Sequence, residues 1–196
     1  MPLDIQAQFA GHEATRTKHG DCEILVWAKP KSSNYAMQYV LLPRGPTGAM
    51  CLVVTGDLGE AVYVWYGAVT YDRIAGMNLG YFASKCEASE TGRGFKTWDP
   101  DQARAVLLEH WEEWAADAVI SSEASALAEA LRNKEIGDDP RELCDWLTGE
   151  PGAELVFGCD AWELADCGER PHDRCALHLM GIKAAMRYLA EAVDKK

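Results

Sequence analysis

Residues 21–66 hold four apolar runs of six to eight residues, each stopped by turn-forming residues. That spacing fits short antiparallel strands and little else. The first run, 22–28, reads Cys-Glu-Ile-Leu-Val-Trp-Ala and stops at Pro30. Ser32, Ser33 and Asn34 then supply a turn. The second run, 35–42, ends at Pro43, and 44–48 (Arg-Gly-Pro-Thr-Gly) forms a loop. The third, 49–55, is turned by Gly56, Asp57, Leu58 and Gly59 into the fourth, 61–66. β-Branched and aromatic residues dominate the runs, as a half-buried pleated surface favours. Four such strands on short turns predict an antiparallel meander. Residues 1–10, with Leu3, Ile5, Ala7 and Phe9, fit a short helix or an edge strand.

After Thr70 the apolar spacing turns helical. Residues 71–78 and 79–89 carry it, and Thr91-Gly92-Arg93-Gly94 breaks it. Asp99 is placed to cap a helix whose first turn contains Pro100. Over 100–118 this helix gathers Leu107, Leu108, Trp111, Trp114, Ala115 and Ala118 on one side. Glu109, Glu112, Glu113 and Asp117 fall opposite. Ser121 and Ser122 start a second helix to about 135, and Asp138, Asp139 and Pro140 a third through Trp146. A last helix follows Asp173, with Cys175, Leu179, Ile182, Met186, Leu189 and Val193 as its buried stripe. Strands first and helices after predict an α+β fold: an N-terminal antiparallel β-meander of about four strands, then a mainly helical, acidic C-terminal half. The division falls at 1–98 and 99–196, as two parts or as one domain.

The two halves differ in charge. Residues 1–100 carry nine Lys/Arg and ten Asp/Glu, and residues 101–196 carry ten and twenty-one, so nearly all of the net −12 sits in the second half. Such a surface repels nucleic-acid backbones and attracts basic partners over a distance. Carboxylates fixed on rigid helices imitate phosphate spacing, and Trp98, Trp111, Trp114, Trp146 and Trp162 interleave with them. The candidate partner-binding residues are Glu109, Glu112, Glu113, Asp117, Asp138, Asp139, Glu142 and Asp145. A solvated helix face is the competing reading of the same acids.

Other chemistries find weaker support. Cys167, His172, Cys175 and His178 lie within twelve residues and offer zinc-type ligands, with Cys159 upstream, but the spacing matches no zinc pattern. Cys175 also continues the last helix's apolar stripe, so the expected metal and cofactor complement is none. Lys85 beside Cys86 is a weak signal for an activated thiol. Gly92-Arg93-Gly94-Phe95-Lys96-Thr97 is no phosphate-binding loop of the GxxxxGK type. No run approaches eighteen apolar residues and the start lacks a secretory pattern, so no membrane segment and a cytoplasmic location are expected. An apolar fraction of 48% excludes a disordered chain.

Residues 53–63 (Val-Val-Thr-Gly-Asp-Leu-Gly-Glu-Ala-Val-Tyr) and 79–89 (Leu-Gly-Tyr-Phe-Ala-Ser-Lys-Cys-Glu-Ala-Ser) resemble a group of uncharacterised bacteriophage and prophage accessory proteins, over roughly residues 8–115. The resemblance implies a mobile-element accessory protein of the host cytoplasm, the company kept by counter-defence and anti-CRISPR factors. Joined to the acidic half, it leads to an expected function. The protein would bind a positively charged nucleic-acid-binding site of a host defence complex, stoichiometrically, and would not contact nucleic acid itself. Two alternatives stand beside it: a small enzyme with a Cys/His site acting on a host protein or nucleotide, and a structural or regulatory phage component.

Overall fold

The computed structural model describes residues 7, 9–90, 96–134, 136–137, 139–158, 164 and 166–194. The chain divides into two units, one of residues 1–96 and 171–196, the other of residues 97–170.

In the first unit, six strands run in sequence order through one antiparallel sheet: β1 (Glu13–His19), β2 (Cys22–Ala28), β3 (Met37–Arg44), β4 (Ala49–Gly56), β5 (Ala61–Trp65) and β6 (Cys86–Ser89). The fold class is α+β as expected, but the meander has six strands rather than four. β1 escapes a sequence reading because only Ala14 of its seven residues is buried. Its charged residues suit a sheet edge, where they discourage pairing with another chain. β6 follows a short helix directly, so the helical spacing read over 79–89 ends early. β3 also runs past Pro43 to Arg44. β2 pairs with β3 only as far as Leu41, so Pro43 has β4 alone beside it and its missing N–H faces an open edge.

The register builds the core. Leu25, Tyr39, Val54 and Ala61 sit opposite one another across four strands, and Leu41, Leu52 and Tyr63 form the next row. All seven are buried. With period-two alternation they share one face of the sheet. Helices α1 (Tyr71–Ala75), α2 (Leu79–Ala83) and α7 (Asp173–Asp194) belong to this core: α7 packs on β1, β2, α1 and α2. Tyr71 of α1 donates to the Tyr39 carbonyl at 2.7 Å, which ties the helix to the middle of the sheet. The expected stripe of α7 holds at Cys175, Leu179 and Ile182, while Met186 and Leu189 are half-buried and Val193 is 73% exposed.

The second unit is helical: α3 (Pro100–Asp117), α4 (Ser122–Asn133), α5 (Pro140–Gly149) and α6 (Ala153–Phe157). Three of them start on the caps read from sequence. Asp99 Oδ1 accepts from the N–H groups of Asp101 and Gln102, Ser121 Oγ from that of Ala124, and Asp139 Oδ1 from that of Arg141. The core is separate from that of the first unit and contains Ala103, Leu107, Leu127, Leu131, Leu143, Leu147 and Val156. β7 (Lys96–Trp98) and β8 (Glu169–Pro171) pair as a two-stranded ribbon where the chain passes between units. The helix after Asp173, grouped by sequence with the acidic half, belongs to the first unit. Expectations for residues 1–6, for Gly92, Arg93 and Gly94, and for Trp162 lie outside the described residues.

Candidate functional site

The acidic unit owes its charge to a clear division of labour among its side chains. Residues 97–170 hold nineteen Asp/Glu and five Lys/Arg, a net of −14. Since the whole chain carries −12, the first unit is left at +2. Four of the five bases are engaged inside the unit. Arg104 donates to the Lys134 carbonyl at 2.6 Å and pairs with Asp101 at 3.2 Å. Arg132 lies over the Trp111 ring and Lys134 over that of Trp146, each 5.6 Å from the centroid. Arg170 pairs with Asp99 at 3.0 Å. The Asp99 carboxyl is held below its usual range first by the N–H of Gln102 and then by Arg170.

Five described acids of α3 and α5 are left facing water. On α3, Ala103 and Leu107 are fully buried, while Glu109, Glu112 and Glu113 are exposed on the turns that follow. On α5, Leu143 and Leu147 are buried, while Glu142 and Asp145 are exposed. Among the described residues none of these five acids forms an ion pair. Asp139 is exposed but occupied as the α5 cap. Asp138 and the side chain of Asp117 lie outside the described residues.

The unit's four described tryptophans serve its own core. Trp98 donates its indole N–H to the Gly137 carbonyl, and Trp111 to that of Ala124, both at 2.9 Å. Trp98, Trp111, Trp114 and Trp146 are partly buried against the same cluster. The acids, not the indoles, therefore form the outward chemistry of this unit.

The Cys/His candidates belong to two different cores. Cys167 packs against the helical core, and burial pushes its thiol up to about 11. Cys175 and His178 are fully buried in the first unit. His172 accepts from the N–H of Arg174 at 3.1 Å. Among the described residues no three or more His, Cys, Asp or Glu are grouped to hold a metal ion. Cys159 lies outside the described residues.

What the sequence did not reveal is the partner of His178. Tyr63 of β5 places its hydroxyl 3.0 Å from His178 Nδ1 and 3.6 Å from Cys175 Sγ. His178 Nε2 lies 3.3 Å from the Leu58 carbonyl, which can only accept, so Nε2 carries the proton and Nδ1 accepts from Tyr63. Burial lowers the imidazole to about 4 and raises the Tyr63 hydroxyl, so both are neutral. All three side chains are at 0% exposure, which closes them to any substrate. The signal in the sequence was a histidine within the apolar stripe of the last helix.

Lys85 does not activate Cys86. Its ammonium sits 4.6 Å from the centroid of the Tyr81 ring. Cys86, on β6 rather than on a helix, donates to the Ala88 carbonyl, and burial pushes its thiol up to about 11. A reactive thiol needs the opposite shift.

No helix among the described residues is long and apolar enough to cross a membrane. No family model, no curated protein and no solved structure matches the chain.

Proposed function

We propose that the helical unit, residues 97–170, is an acidic docking module carried on the β-rich unit. Its partner is a basic surface of a host nucleic-acid-binding protein or defence complex, which it blocks stoichiometrically as a counter-defence, anti-CRISPR-like factor would. The supporting observation is the net −14 of a separately cored unit whose bases are largely tied up internally. Rigid helices carry Glu109, Glu112 and Glu113 on one element and Glu142 and Asp145 on another. Fixed carboxylates steer a basic partner during encounter and repel polyanions, which is the behaviour of a competitor for a nucleic-acid channel. Because the field is long-range and exposed, binding depends strongly on salt.

The test is affinity capture from a bacterial lysate with the full chain, at about 0.05 and 0.5 M salt. The expected result is a basic, nucleic-acid-binding protein retained at low salt, released at high salt and displaced by excess RNA. The triple variant Glu109→Lys, Glu112→Lys, Glu113→Lys should bind it at least tenfold more weakly. Its circular dichroism should be unchanged, since all three side chains are exposed. Equal retention by the charge-reversed variant, or capture indifferent to salt and RNA, overturns the reading. Titration against the purified partner should reach a sharp endpoint near equimolar protein.

A further inference from the structure

The first unit carries a cavity of about 700 Å³ after β5, between residues 65–69, α1 and α2. That volume is typical of small-molecule sites. Its chemistry differs from that of the rest of the protein. Tyr66 lines it with 84% of its surface exposed, and Tyr81 with 48%. Two exposed aromatics lining one cavity are unusual on a protein whose other large aromatics are mostly buried, and an exposed ring offers a stacking surface. Two cations, Arg73 and Lys85, line the same cavity. Arg73 is steadied by donating to the Ala68 carbonyl at 3.1 Å, and Lys85 by lying over the Tyr81 ring. Asp72 adds one carboxylate, an acceptor for hydroxyl groups. Trp65 contributes part of the wall; its indole N–H is buried without an acceptor among the described residues. An acceptor that reached it from the cavity would relieve that unmet bond.

We propose that this cavity binds a nucleoside monophosphate. An aromatic ring stacks on the tyrosines, the phosphate lies between Arg73 and Lys85, and a sugar hydroxyl donates to Asp72. Each part of the ligand answers one part of the lining: a ring alone leaves the cations unused, and inorganic phosphate leaves the tyrosines unused. Two sources offer this chemistry, a free mononucleotide and a nucleotide of a single strand. The free mononucleotide is the one the charge distribution favours. A strand brings a row of phosphates into the field of a protein of net −12, whereas a mononucleotide brings a single one.

The test titrates the full chain with AMP, GMP, CMP and UMP and follows intrinsic fluorescence and heat. Parallel titrations use the matching nucleosides, inorganic phosphate, a ten-residue single-stranded RNA and a phosphotyrosine peptide. Saturable binding of at least one mononucleotide is expected, with its nucleoside and inorganic phosphate each at least tenfold weaker. Tyr66→Ala and Lys85→Gln should each weaken binding at least fivefold without moving the thermal midpoint; Lys85→Arg should largely restore it. No saturable binding of any mononucleotide at millimolar concentration overturns the proposal. So does equal binding of nucleoside and nucleotide, tighter binding of the RNA strand or the peptide, or indifference to both substitutions.

Discussion

His178 is fully buried, neutral and lowered to about 4 by its burial, whereas an imidazole in an unfolded chain titrates near 6.5. Between those values the unfolded chain binds a proton that the folded chain refuses. Stability therefore falls as pH drops from about 6.5 to about 4 and is indifferent to this group above that window. Over the full window the loss is about 3 kcal/mol. Arg174 on the same helix and His172 just before it add cationic repulsion in the same direction. Urea midpoints of the parent and of His178→Gln between pH 4 and 8 separate this effect from that of carboxylates. The variant should start lower, by about 1–2 kcal/mol for the lost Tyr63 bond. It should then lose midpoint less steeply between pH 6.5 and 4, and parallel curves would assign the acid sensitivity elsewhere. From sequence, His178 is one of four Cys/His residues within twelve positions, a weakly supported zinc cluster for which no metal is expected. Proximity along the chain said nothing of Tyr63, 115 residues away, whose hydroxyl satisfies the imidazole.

Helix α7 approaches the sheet closely enough that only glycine fits at position 181. A Cβ there would lie 2.1 Å from the Tyr39 hydroxyl. That ring is wholly buried and its hydroxyl donates to the His178 carbonyl at 3.2 Å, so it has nowhere to move. Gly181→Ala should destabilise the first unit by about 2–4 kcal/mol, combining overpacking with a strained hydrogen bond. Adding Tyr39→Phe, which removes the clashing oxygen, should recover part of that loss. If the two costs simply add in a double-mutant cycle of urea midpoints, the close approach is not the cause. Elements of this kind were legible where apolar period and punctuation agreed: the four central strands, and the three helices opened by Asp99, Ser121 and Asp139. They were illegible where tertiary context decides. β1 is a charged edge strand whose pairing partner, not its own pattern, makes it a strand. β6 is too short to outweigh the helical spacing of Leu79–Ala83 just before it.

The molecule is a six-stranded sheet domain interrupted in sequence by a helical one, because α7 returns to the first core after residue 170. A two-way split of the chain at residue 98 differs from this division at the last helix, since α7 carries a buried stripe that belongs to the sheet. The interruption also sharpens the electrostatics: −14 on residues 97–170 against +2 on everything else. If the units are separable, the inserted one can be removed. Its ends already meet, because Lys96–Trp98 and Glu169–Pro171 are neighbours in one ribbon. A chain in which a short Gly-Ser linker joins Lys96 to Pro171 should keep the sheet core intact, since none of the buried residues of that core lies in 97–170. It should unfold cooperatively in urea with a β-rich circular dichroism spectrum, and its midpoint should respond to Gly181→Ala as in the full chain. It should still bind the mononucleotide and should capture no basic partner. A shortened chain without a cooperative transition would show that the sheet domain needs its insertion to fold. One that still captures the basic partner would move the docking surface off the acidic helices.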